Sequence, residues 1–213
     1  MDEEISIINN ETAKEKTIKF FKNNKKKLIV LLIILILIPF SFFSYQIYLD
    51  KNKEKISSRY NLAVTKFEKG NNLEIKKIMI EIINSKDKTY SPLALYFIID
   101  NNIEATNEEI NRYFDIIIND INLDIEIKNL NIYKKGLFNS SFISENELLL
   151  ILKPIINSDS FWKPHALILL GEFFLDKNQN QKAKEFFSQV ISIEMANEKL
   201  KTEAKKRLIY IGG

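Results

Sequence analysis

The chain has 213 residues, and 31 Lys and Arg against 28 Asp and Glu leave a formal net charge of +3, interspersed along its length, so no strong field points to nucleic acid. It has no cysteine and one histidine, which excludes a disulfide framework, a thiolate nucleophile and any site built from several histidines. Five glycines and four prolines favour helices over a turn-rich all-β fold.

The leader, residues 1–27, reads either as a short helix from Thr12, with Ile18, Phe20 and Phe21 in a membrane interface, or as a disordered charged segment. Residues 28–48, LIVLLIILILIPFSFFSYQIY, contain no charge. At about 1.5 Å per residue such a helix covers roughly 30 Å, the hydrocarbon thickness of a bilayer. Pro39 predicts a kink or a weak point inside the run. Tyr45 and Tyr48 stand at its far end, where aromatic rings suit the interface. An uncleaved anchor is favoured over a cleaved signal peptide, because 27 residues precede the run and no A-x-A site follows it. A buried core helix is disfavoured because the run has no polar face.

Seven lysines (Lys14, Lys16, Lys19, Lys22, Lys25, Lys26, Lys27) precede the run, and Lys51, Lys53, Lys55 and Arg59 follow it. That bias predicts a cytoplasmic N-terminus, with Lys25, Lys26 and Lys27 flanking the membrane directly. Residues 49–213 then form a domain outside the cytoplasm, which is the periplasm in a cell with two membranes.

Helical spacing continues at 46–69, with Ile56, Tyr60, Ala63, Val64 and Phe67 in register and Gly70 as its stop. Residues 73–84 form the next helix, and Ser91-Pro92 opens another to about residue 99. Thr106 with Glu109 and Ser144 with Glu147 read as capping boxes, opening helices to about 119 and 156. Between them 123–138 is predicted helical, with Ile127, Leu130 and Leu137 inside. Residues 197–211 form a terminal helix over the last hairpin.

The segment 166–191, ALILLGEFFLDKNQNQKAKEFFSQVI, is the most specific. Leu167, Leu170, Gly171 and Phe174 fall on one helix face, residues 176–180 form a turn, and Ala183, Phe187, Val190 and Ile191 form the face of a second helix. The pattern L-G-x-x-F … A-x-x-x-F resembles the tetratricopeptide signature, in which small residues let the paired helices touch and aromatic residues fill the space beside them. Leu170, Gly171, Phe174, Ala183 and Phe187 are the repeat-packing positions. Such a unit cannot bury its faces alone and needs neighbours. Leu167 stands where the signature has Trp, no Pro closes the unit, and the earlier hairpins match the pattern poorly.

Taken together, the leader ending FFKNNKKK, one apolar run, the stalk YNLAVTKFEKGN and the late FWKPHALILLGEFFLDKNQNQKAKEFFSQVI resemble the tetratricopeptide repeat-like YfgM-type family of ancillary SecYEG translocon subunits. The resemblance implies a single-pass inner-membrane protein whose periplasmic domain associates with the Sec translocon, periplasmic chaperones and exported chains.

No constellation for catalysis stands out. His165 beside Trp162 and Pro164 lacks an evident nucleophile or base. Glu108-Glu109 and Glu145/Glu147 sit at helix starts, where capping and the helix dipole account for them. Asp120, Asp124 and Glu126 lack the spacing of a calcium loop. No phosphate-binding glycine pattern is present. Trp162 reads either as a packing residue between hairpins or as an anchor for a bound peptide.

The expectation is therefore an all-α protein: a transmembrane helix followed by an α-solenoid of degenerate tetratricopeptide-like hairpins. Its work is protein binding and not catalysis, with no cofactor, metal, nucleic acid or small-molecule substrate. Asn61, Lys66, Tyr96 and Glu172, on the first helices of the pairs, are the candidate peptide groove. The alternative is an envelope scaffold for cell division or cytochrome maturation using the same repeats.

Overall fold

The computed structural model describes residues 2–67 and 72–212, with side chains from Lys14 onward apart from Asn72. The chain divides into two compact units, Met1–Lys55 and Ile56–Gly213. In the first, one helix accounts for every described residue: α1 spans Asp2–Lys66, without a break at Pro39, and its turns from Ile56 on belong to the second unit. This helix is long and apolar enough to cross a membrane. None of its apolar window is buried against protein, and Leu35 and Phe40 are each 69% exposed. That removes the core-helix reading, because a core helix hides the face that this one leaves bare.

The second unit is also helical, and no described residue lies in a strand. It comprises the end of α1, then α2 (Asn72–Asn84), α3 (Tyr90–Asp100), α4 (Asn107–Asp115), a π-helical segment (Ile116–Asp120), α5 (Ile125–Asn139), α6 (Glu145–Ile156), α7 (Lys163–Asp176), α8 (Asn180–Ser192) and α9 (Glu198–Gly212). Successive helices pack on one another, α2 on α3, α5 on α6, α6 on α7 and α7 on α8. The terminal α9 lies against both α7 and α8. The helix stop predicted at Gly70 lies outside the described residues, and α1 ends at Lys66, short of the predicted 69.

Local chemistry explains the element boundaries. Both capping boxes form. The Thr106 hydroxyl accepts from the Glu109 amide while the Glu109 carboxylate accepts from the Thr106 amide, and Ser144 and Glu147 do the same. Each pair satisfies two amides that a helix start would leave unpaired. At the other ends asparagine does the work of glycine. Asn102 and Asn178 take positive φ, 50° and 58°. The following amides of Ile103 and Gln179 bond back to the carbonyls of Ile98 and Phe174, at 3.0 and 2.8 Å. These are Schellman closures with Asn in the left-handed position, a residue that tolerates it better than most. The chain can therefore be poor in glycine and still turn sharply.

In the α7–α8 pair, Leu170, Gly171, Phe174, Ala183 and Phe187 are all buried. A Cβ on Gly171 would stand 2.5 Å from Cε1 and 2.7 Å from Cζ of Phe187, so the ring lies directly on the Gly171 backbone. Gly136 of α5 holds the same relation to Leu152 of α6, at 2.6 Å.

Two expectations need correction. The face of α5 was assigned to Ile127, Leu130 and Leu137, but Ile127 and Leu137 are 43% and 50% exposed and Leu130 is only half-buried. The buried positions are Asn129, Asn131, Ile132, Gly136 and Asn139. Asn131 accepts the Tyr96 hydroxyl at 2.8 Å and donates to the Ile127 carbonyl. Asn139 and Asn111 exchange amide bonds at 2.9 and 2.8 Å. A buried amide is tolerated once its bonds are made, so polar residues occupy positions that hydrophobic spacing assigns outward. The second correction is the end of the 106–119 helix, which passes into a π-helical segment from Ile116.

Gly171→Ala should overpack the contact with Phe187. Overpacking costs about 1–3 kcal/mol, and the gain in helix propensity returns up to ~1 kcal/mol. The expected result is a lower urea midpoint, partly restored in the Gly171→Ala/Phe187→Leu double variant. Simple additivity of the two would disprove the contact. Asn139→Ala leaves the Asn111 amide short of its partner and should cost about 1–3 kcal/mol in the same assay.

Candidate protein-binding surface

The four candidate groove residues sit on three helices. Asn61 and Lys66 are exposed on the last turns of α1, and the Asn61 carbonyl accepts from Thr65 Oγ1 at 2.7 Å. Tyr96 of α3 is half-buried, and Lys134 Nζ stands over its ring, 4.1 Å from the centre. Burial pushes its phenol well above the ordinary tyrosine value, so it stays a neutral donor to Asn131. Glu172 of α7 pairs with Arg207 of α9 at 2.5 Å. Among the described residues no hydrogen bond or ion pair joins two of the four.

Tyr96 does line a cleft of about 140 Å³ with Asp100, Phe114, Lys134, Leu137 and Phe138. Its wall is apolar and its rim carries one charge of each sign. The misassigned Leu137 gains a meaning here, as an exposed apolar side chain at the mouth of the cleft.

A second cluster surrounds Trp162. Its indole stacks on Tyr133 of α5, with centroids 5.7 Å apart and planes 22° from parallel. His165 lies 5.1 Å from the Trp162 ring and 6.0 Å from Tyr133. Trp162 therefore packs between α5 and the start of α7, which is the first of the two roles that sequence left open. Desolvation lowers the His165 pKa, and the Phe161 backbone and Glu203 of α9 oppose that shift.

Glu126, set aside at the sequence level, carries part of this cluster. Its carboxylate accepts from Ser160 Oγ at 2.8 Å and from the Phe161 amide at 3.2 Å, and Ser160 Oγ accepts from the Trp162 amide at 3.1 Å. One acid on α5 thus fixes the turn that leads into α7. Its partners lie 34 and 35 residues away, so no local pattern announces it. Among the described residues no group of three or more His, Asp or Glu is placed to hold a metal ion. Nothing in the cluster pairs His165 with a nucleophile, and the arrangement offers shaped apolar surface with a few fixed polar groups.

Comparison with protein-family models, with curated proteins and with solved structures finds no match to this chain.

His165 supplies a pH test with a defined sign. A histidine whose folded pKa is lowered binds fewer protons folded than unfolded. Its penalty is absent above the unfolded value of about 6.5 and grows as pH falls from there toward the depressed folded value. Unfolding followed by Trp162 fluorescence should show stability declining over that window, and His165→Phe should flatten the decline. An identical slope in the variant would assign the effect elsewhere.

Proposed function

We propose that the chain is a single-pass membrane protein with its N-terminus in the cytoplasm, presenting a binding domain on the other side. The observation that carries this reading is the combination of a charge-free apolar segment, none of it buried, with a separate helical unit. The lysine excess before the segment supports the orientation.

In this reading the second unit is a short α-solenoid of tetratricopeptide-like hairpins. The support is the contact of Gly171 with Phe187 in α7–α8 and the sequential packing of neighbouring helices, which is how stacked repeats bury faces that one hairpin cannot. The partners are proteins. The layout of leader, span and late hairpin resembles YfgM-type ancillary SecYEG translocon subunits, and on that resemblance the domain lies in the periplasm and assists exported chains beside the Sec translocon and its chaperones. The Tyr96 cleft is the first place to look for capture, because it combines an apolar wall with Asp100 and Lys134 at its rim.

The absence of cysteine makes the topology easy to test. Single-cysteine variants Lys16→Cys and Thr202→Cys, both at exposed positions, are treated with a membrane-impermeant maleimide. Thr202→Cys should label in intact inner-membrane preparations of periplasm-exposed geometry, and Lys16→Cys only after lysis. The reverse pattern overturns the orientation. A photocrosslinker at Tyr96 or Glu172 in the same membranes should yield secretion-channel, chaperone or nascent exported chains. Adducts confined to division or cytochrome-assembly proteins would retain anchor and fold and replace the function.

A further inference from the structure

One cavity of the second unit lies away from Tyr96 and Glu172. It encloses about 580 Å³ between the turn leading into α7 and the turn leading into α9, within the range of ligand-binding clefts. Phe161, Pro164, Ile193, Met195 and Leu200 supply its apolar wall, and His165 lines it as well. Two of these side chains stand out toward solvent: Phe161 is 67% and Met195 96% exposed.

Both walls are pinned. Glu126 and Ser160 hold the Phe161 turn through the bonds described above. On the other side Lys201 Nζ donates to the Glu194 carbonyl at 3.0 Å, the Asn197 side chain accepts from the Lys199 amide at 2.8 Å, and the Ala196 amide donates to the Ile193 carbonyl at 3.1 Å. A large apolar side chain on a mobile loop folds back onto the protein. One held outward on a braced turn keeps its apolar area available to a partner. Methionine suits such a rim, because its flexible thioether adapts to varied apolar surfaces.

The charges at the rim select the occupant. Asp159, Glu194 and Lys163 line the cavity. Both carboxylates are exposed, and among the described residues neither has a hydrogen bond or ion pair, nor does the Lys163 amine. His165, with its lowered pKa, adds no charge at neutral pH. Lys201, whose amine lies on the Glu194 carbonyl, is paired with Glu198 at 3.2 Å, so among the unpaired charges that line the cavity the acids outnumber the base two to one, and the rim favours cationic groups beside apolar ones. We infer that this cavity is a binding site for an extended peptide segment that alternates large apolar side chains with arginine or lysine. The site stands on its own residues and does not depend on the export reading.

The probe is a fluorescein-labelled peptide of sequence Leu-Arg-Phe-Leu-Arg-Phe, beside a twin with Glu in place of Arg. The target is the full chain in phosphatidylcholine nanodiscs, with empty nanodiscs as the blank. Anisotropy reports binding, and Trp162, the chain's single tryptophan, reports occupancy of the neighbouring cavity. The Arg peptide should bind saturably and more tightly than its twin. Met195→Asn, at a position too exposed to matter for folding, and Phe161→Ser should each weaken it about tenfold. Asp159→Asn with Glu194→Gln should bring the two peptides to parity. The proposal is overturned by no saturable binding, by equal or stronger binding of the Glu twin, by affinity unchanged in Met195→Asn, or by self-association of the chain that this variant abolishes. Because Tyr96 lies outside this cavity, crosslinking from Tyr96 remains a separate test of the function proposed above.

Discussion

The second unit depends on how α5 is held. The long-range polar bonds of this helix reach α3, α4 and the turn before α7. Asn131 takes the Tyr96 hydroxyl of α3, Lys135 pairs with Asp115 of α4 at 2.7 Å, and Asn139 exchanges bonds with Asn111. Residues 131, 135 and 139 recur at i, i+4 and i+8, one stripe of the helix. Gly136, between them, admits Leu152 of α6, and Tyr133 stacks on Trp162 before α7. Apolar burial is non-directional, so on its own it discriminates weakly between neighbouring registers. Amide pairs discriminate more strongly, since a shifted register strands a buried donor at a cost of about 1–3 kcal/mol. The asparagines therefore specify one position of α5 among several that burial alone would accept.

The same feature explains what could be read in the sequence. The capping boxes at Thr106 and Ser144 were legible because donor and acceptor lie three residues apart. The α7–α8 pair was legible because Gly171 and Phe187 follow a pattern whose cause is local to one hairpin. The face of α5 was not, because its buried asparagines are stabilised by partners up to 35 residues distant. Hydrophobic spacing scores Asn as surface wherever it occurs, and this chain is rich in it. The π-helical segment was hidden for a related reason: the run Ile116-Ile117-Ile118 satisfies an α-helical pattern equally well, and tertiary packing makes the choice.

The N-terminal unit obeys a different constraint. In water, apolar side chains drive helices together, and the second unit buries Ile75, Met79, Ile82 and Ile83 of α2 in that way. In residues 28–48 no such neighbour is present, and the apolar side chains point outward on all sides of α1. In a bilayer that exposure would carry no penalty, and a helix is the form that would satisfy its own backbone there. Pro39 is tolerable on the same grounds, since a single lost backbone bond in an otherwise continuous helix leaves the rest of the ladder intact.

Glu126 links the two surfaces of the second unit. It sits little more than one turn before Asn131, so α5 braces the Phe161 turn with one residue and orients Tyr96 with the other. A carboxylate bonded to a hydroxyl and an amide is a short, directional tie, whereas a packed methyl group could rotate or slide. The apolar rim at Phe161 is thus referenced to α5 without belonging to it, and the cleft at Tyr96 is built partly from α5 itself, through Lys134, Leu137 and Phe138. Bound ligands are held precisely only when the groups that meet them are fixed by a supporting layer. Here that layer is the polar side chains of α5, Glu126 together with the stripe at 131, 135 and 139, and the residues that look least suited to a protein interior are the ones that give its surfaces a fixed shape.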